Sequence, residues 1–242
     1  MIKCLFIKIK VYLWGVLVRA TRKILGYNLK VRHSHCRAFK FIHKMKTQKS
    51  VEILEFSIKE VVIPIVGISP LIIHAWSEKS KREMADKQAG KAKNKKHDIR
   101  VPEEDFEQAK HKSPQGWEGF PAAGFKAAMI RGAKMIGMVM KDTQTSFFIK
   151  ADCEETQLIK IIGESRMRTD MVRVGMGSAD IRYRPEYPEW SANLTVEFNS
   201  GVTSLDQIYQ LVKAAGYGCG IGEMRPEKTK FNYGRFKLTE EK

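Results

Sequence analysis

Residues 194–216 limit the fold more than any other stretch of the chain. Leu194, Val196 and Phe198 alternate with Thr195 and Glu197, the period of a half-buried strand, and Asn199, Ser200 and Gly201 close it. Ser204 and Gln207 then make a capping box, in which each side chain satisfies a backbone N–H of the other's residue. Leu205, Ile208, Leu211, Val212 and Ala215 follow at helical spacing, and Gly216 marks the expected stop. A strand running into an amphipathic helix is one half of an α+β unit.

The other half lies upstream. Residues 51–66 read as a strand, with Leu54, Phe56 and Ile58 inward and Glu55, Ser57 and Lys59 outward, before the run Val61, Val62, Ile63 breaks the alternation. Gly67 and Pro70 punctuate a turn ahead of residues 71–76. Residues 121–140 predict a helix with Pro121 in its first turn and a stripe of Phe125, Met129, Ala133, Ile136 and Met140. Short strands are expected at 145–149 and 158–162, and a last one at 233–238. The order strand, helix, strand pair, strand, helix, strand is that of a ferredoxin-like or RRM-like antiparallel sheet with two helices. Two insertions interrupt it. Residues 77–116 form a Lys-rich solvated loop with a short helix near 80–89, and residues 163–190 form a long polar segment rich in Arg and Gly.

Charge is unevenly spread. The net charge is +16, yet residues 1–50 hold thirteen Lys or Arg and no acid, so the remaining residues carry 30 basic and 27 acidic groups. The domain division expected is therefore a basic, apolar extension over 1–48 and one RRM-like domain over 49–242. The extension is too often interrupted by Lys3, Lys8 and Lys10 to span a bilayer, which takes about 20 apolar residues. It reads as a tail or a start-site artefact. Contact of residues 1–44 with a membrane surface is allowed by their flanking cations but is not favoured. Cys4, Cys36, Cys153 and Cys219 are scattered, without the spacing of a disulfide framework or a zinc site, which points to a reducing, cytoplasmic setting.

Three features offer binding chemistry. The glycine comb Gly216, Gly218, Gly220, Gly222 strips one face of an extended segment, so another backbone, from protein or nucleic acid, can approach; Arg225 follows it. It lacks the Gly-Lys-Ser/Thr ending of a phosphate loop. Arg166, Arg168, Arg173, Arg182 and Arg184 are interleaved with Tyr183 and Tyr187, a mixture suited to phosphate forks and base stacking. Asp170 and Asp180 offer the competing explanation of ordinary ion pairs. Lys79, Lys81, Arg82, Lys91, Lys93, Lys95 and Lys96 form a third cluster, able to attract phosphate without reading sequence, with Arg131 and Lys134 on the helix as further cations. Catalytic signals are thin. His33, His35 and Cys36 lack a companion ligand; His74 in its apolar setting, Asp170 and Asp180 are the available acid–base groups; no catalytic residue, metal or cofactor is assigned.

The segments GYGCGIGEMRP and YGRFKL, with PLIIHAW, FPAAGFKAAM, DMVRVGMG and RYRPEYPEW, resemble the RAMP superfamily over about residues 50–240. The nearest analogues are the backbone subunits that coat guide RNA in CRISPR effector complexes, or a phage-encoded set of small RAMP-like proteins. The resemblance implies non-catalytic binding of single-stranded RNA or DNA along its backbone, self-association head-to-tail on the strand, and inserted loops that clamp it. The family's glycine loop usually carries bulkier residues between its glycines. An RNA-processing nuclease on this fold, or a protein-interaction factor of phage or mobile-element origin, are the alternatives.

Overall fold

Four strands and two helices build the frame. In the computed structural model, which describes residues 55–90, 100–174 and 178–239, β1 (Ile58–Gly67), β5 (Phe147–Lys150), β9 (Ser191–Asn199) and β10 (Phe236–Leu238) form one antiparallel sheet in the order β10-β1-β9-β5. Helix α3 (Ala122–Gly132) lies between β1 and β5 in the chain, and α5 (Leu205–Ala214) between β9 and β10. Counting only these four strands, the spatial order is fourth, first, third, second, the expected α+β, ferredoxin-like arrangement.

The core sits between one sheet face and the two helices. Ile63 and Ile65 of β1, Leu194, Val196 and Phe198 of β9 and Phe147 of β5 meet Phe125 and Met129 of α3 and Ile208, Leu211 and Val212 of α5. Each large apolar side chain so buried contributes roughly 1.5–3 kcal/mol. The capping box of α5 is present, with Ser204 accepting from the Gln207 N–H at 3.2 Å and the Gln207 side chain accepting from the Ser204 N–H at 2.9 Å. Gly132 lets α3 approach the turn after α5; a Cβ there would meet the Ala215 nitrogen at 2.8 Å.

Several expectations need correction. In β1 the odd-numbered residues face the core, so Phe56 and Ile58 are 75% and 58% exposed; Leu54 lies outside the described residues. The register is fixed by the nine-residue ladder to β9, which turns Val61, Ile63 and Ile65 inward. Helix α3 ends at Gly132 and tightens into a 3-10 turn over Ala133–Ile136, which Gly137 stops with a left-handed φ of 77°. Ile136 and Met140 are therefore exposed, and Met140 opens a separate helix α4 (Met140–Ser146). Gly216 does not stop α5; a π-turn, Ala215–Cys219, carries it on to Gly220. Leu158–Lys160, strand β6, pairs not with the main sheet but with β4 (Glu118–Pro121), which pairs in turn with β3 (His111–Lys112).

The insertions are more ordered than loops. The first holds β2 (Leu71–Ile72), α1 (Glu78–Gln88) and α2 (Pro102–Gln108) as well as β3 and β4. The second is a long hairpin of β7 (Arg166–Val174) and β8 (Ser178–Tyr187), which pairs through β8 with β2. The basic extension, Lys91, Lys93, Lys95, Lys96 and the His33, His35, Cys36 group lie outside the described residues.

Candidate nucleic-acid interface

Strand alternation sorts the second insertion into two faces. Opposite residues on an antiparallel pair share a face, so Arg166, Arg168 and Asp170 of β7 stand with Glu186, Arg184 and Arg182 of β8. Met167, Thr169, Met171 and Arg173 stand on the other, with Pro185, Tyr183 and Ile181. Tyr183 is thus separated from the arginines beside it in sequence, and the stacking partner expected for Arg182 and Arg184 is not on their side.

The arginine face is a shared ion-pair network. Arg168 donates from Nε to Asp170 Oδ1 at 2.8 Å and from Nη1 to Glu186 Oε1 at 2.9 Å and the Tyr233 hydroxyl at 3.1 Å. These partners raise its pKa further above the ordinary arginine value, Asp170 leading, against partial desolvation. Arg166 donates to Glu186 at 2.8 Å with 65% of its side chain exposed. Arg182 lies 3.7 Å from Asp180 and is half-buried, while Asp180 accepts from Arg100 at 2.7 Å. Arg184 corrects the sequence expectation. It is 4% exposed, reaches Asp170 only at 3.4 Å and has no partner for its Nε, so it braces the hairpin from beneath and presents nothing to a phosphate. Asp170 and Asp180, the acid–base candidates, are each held by arginines.

The glycine segment meets this face. Glu223 N–H bonds the Ile72 carbonyl at 2.8 Å, and Arg168 lies over the Tyr233 ring at 4.9 Å from its centroid. The glycines themselves pack inward, a second correction. A Cβ on Gly222 would stand 2.4 Å from the Ile72 oxygen, one on Gly220 3.1 Å from the Gly234 oxygen, and one on Gly218 2.4 Å from Met135 Sδ. The close approach that the comb permits is taken up by the chain's own atoms. Arg225 donates to the Gly222 carbonyl at 2.8 Å and to Glu227 at 3.1 Å; Glu227 also accepts from Arg131 at 2.5 Å, tying α3 to the segment.

His74 lies at the same junction, between Ile73, bonded to Pro185, and Ala75, bonded to Ala109. Partial desolvation, then the charges of Arg184 and Arg182, lower its pKa, with Glu223 opposing. Helix α1 carries Lys79, Lys81 and Arg82 on a surface with no buried residue; Lys81 bonds Glu78. Lys134 and Arg173 are exposed. Two exposed aromatics were not singled out from the sequence: Tyr217, 67% exposed, and Phe231, 55%. The alternation of Phe231, Tyr233 and Arg235 was the available signal. By contrast, the outer face of the main sheet shows Glu60 and Glu197 on its central strands, both paired with Lys150, and an exposed aromatic ring only at its β5 edge, Phe148. Among the described residues no three His, Cys, Asp or Glu side chains converge on a metal-sized site.

No protein-family model matches the sequence, and no curated protein does. Among solved structures, Cmr6 from Pyrococcus furiosus aligns with 76% of this chain and 100% of its own, at 13% identity and a TM-score of 0.38. A chain of the Type III-B Cmr-beta bound to cognate target RNA aligns over 93% of this chain and 72% of its own, at 9% identity and a TM-score of 0.44. At TM-scores under 0.5, neither likeness bears on function.

Proposed function

We propose that this protein binds single-stranded nucleic acid along its phosphate backbone, without cleaving it, on the arginine face of the β7–β8 hairpin and the adjoining glycine segment. One observation carries the reading. Seven arginines, Arg100, Arg131, Arg166, Arg168, Arg182, Arg184 and Arg225, share only five carboxylates, Asp105, Asp170, Asp180, Glu186 and Glu227, in these ion pairs. A guanidinium has five N–H donors and each pair uses one or two, so Arg166, Arg168 and Arg182 keep donors for phosphate while the carboxylates fix their heads in place. Binding by such a surface is tolerant of sequence and steeply salt-dependent.

The test is binding of single-stranded RNA, single-stranded DNA and duplex DNA by fluorescence anisotropy at two salt concentrations. Replacing Arg166 and Arg182 together by Ala weakens binding to every sequence and flattens the salt slope by about one unit per lost phosphate contact. Unchanged affinity and slope would remove the arginine face from the function.

A second observation supports assembly on the strand. The opposite face of the hairpin shows water Met171, 76% exposed, Ile181, 50%, and Met167, 42%. On a two-stranded projection three exposed apolar side chains share this face with Arg173, while Asp170, Arg184 and Glu186 of the opposite face are buried, the reverse of a solvated hairpin. We assign it to contact between successive copies. Sedimentation with and without a long single strand tests this: Met171→Glu with Ile181→Glu abolishes strand-dependent assembly and leaves binding of a short strand intact. Assembly that survives the pair of substitutions would refute it.

A further inference from the structure

Phosphate contacts hold a strand but do not hold its bases, and the structure places two aromatic platforms beside the glycine segment for which the phosphate reading has no use. Tyr217 sits in the middle of the π-turn. The Arg235 guanidinium lies over its ring, 5.2 Å from the centroid, and donates to the Tyr217 carbonyl at 3.2 Å. That pairing fixes the ring and covers one face, while a residue exposure of 67% leaves the other in water. The second platform is Phe231, tilted at 49° against Tyr233 with centroids 6.3 Å apart; Tyr233 is in turn held by Arg168. An exposed phenylalanine buttressed by a tyrosine and an arginine is a surface with no burial to gain inside its own chain.

The geometry points to Tyr217 and Phe231 as stacking platforms for the bases of the bound single strand. This rests on the single-strand reading above and adds to it where the bases go. Two features favour nucleobases over an apolar protein segment. The Tyr217 ring is backed by the Arg235 guanidinium, a cation suited to phosphate, and Phe231 leans on Tyr233, which the Arg168 guanidinium holds in turn. Phe231 and Arg235 are four residues apart, at most about 14 Å of extended chain, so one short strand reaches both rings. Because every base has a π-face, stacking here predicts occupancy without sequence preference.

The experiment uses the full chain and a short single strand carrying 2-aminopurine, in RNA and DNA forms, alongside an abasic strand of equal length and charge. Stacking quenches the 2-aminopurine on binding. Tyr217→Ala and Phe231→Ala each remove part of the quench and lower affinity for the base-bearing strand about five- to hundred-fold, without changing affinity for the abasic strand. Tyr217→Phe keeps the ring and keeps the affinity. Both side chains are exposed, so circular dichroism of the variants is expected to match the parent. Binding with no quench, or with the alanine variants equal to the parent on both strands, would overturn the platforms while leaving the phosphate reading standing. Failure of the parent to bind either strand sinks both. Loss of strand-dependent assembly with base binding intact would make the rings a protein contact and also overturn the inference.

Discussion

Asp170 holds two guanidinium groups on one carboxylate, and at the scale of single residues that is where the hairpin is most easily broken. It is 7% exposed, bonds Arg168 at 2.8 Å and faces the buried Arg184 at 3.4 Å. Removing one member of a buried charge set leaves the others desolvated and unpaired, at a cost of about 3–5 kcal/mol. Asp170→Asn is therefore expected to lower the urea midpoint strongly, whereas Arg182→Ala, at a half-exposed site, costs under about 1 kcal/mol. Equal losses for the two would mean that Asp170 is not the anchor. Histidine adds a pH dependence. Desolvation, then the nearby His74 and Lys81, lower the pKa of His111, whose ring packs edge-on against Phe120. Between the ordinary histidine value and the lower folded one, the unfolded chain binds more protons. Stability therefore falls as pH drops through about 6.5. His111→Phe keeps a ring against Phe120 and should flatten the stability difference between pH 7.5 and 5.5 seen in urea titrations; an unaltered slope would assign that pH dependence elsewhere. The arginines of this site were legible as a cluster. Their division into exposed Arg166 and buried Arg184 was not, because burial depends on how β8 docks beside β2 and on which face of the hairpin meets Tyr233.

At the scale of elements, the glycine segment shows what spacing tells and what it hides. The comb was visible as a place of close approach, but the approaching group is the chain's own backbone. Gly222 has a φ of 75° and an Ile72 oxygen 2.4 Å from any Cβ, whereas Gly137 has a similar φ of 77° and nothing within 4 Å. The comparison separates conformational cost from steric cost. Gly137→Ala should lose only the left-handed penalty, about 1–2 kcal/mol. Gly222→Ala adds a clash with backbone that cannot give way, so its thermal midpoint should fall clearly further. Similar shifts would mean that the segment is free to move off β2. Helix α5 was legible because its capping box and apolar stripe are local. The end of α3 was not, since the helix tightens into a 3-10 turn after Gly132 and Gly137 stops that turn, while the stripe runs on through Met140. The β7–β8 hairpin was hidden for a different reason. Its alternation is arginine and acid against methionine and threonine, with Asp170, Arg184 and Glu186 buried on the charged side and Met171 and Ile181 exposed on the other, so the usual signature of a half-buried strand is inverted.

The whole molecule divides its charge in a way that makes the body's own binding measurable. A compact unit takes in residues 54–242, and its four-stranded frame brings the ends of β1 and β10 together with the glycine segment, so that two distant stretches of sequence, 166–186 and 217–235, share one surface. The order of the frame followed from the order of periodicities; that junction did not, because it depends on where the second insertion docks. Net charge would mislead here. Of the +16 carried by the chain, eleven Lys and Arg with no opposing acid lie in residues 1–44, so a chain beginning at Met45 carries 16 − 11 = +5. If the arginine face and not the extension chooses the ligand, removing residues 1–44 lowers affinity for duplex and single strands alike and reduces the salt slope for both. The preference for single strands over duplex then persists in the shorter chain, because guanidinium forks fixed by shared carboxylates, unlike loose cations, do not fit every spacing of phosphates. Anisotropy titrations of both chains on the same strands give the two slopes and the two preferences directly. A preference that disappears with residues 1–44 would place ligand choice in the extension and leave the body as a scaffold, whatever its arginines hold.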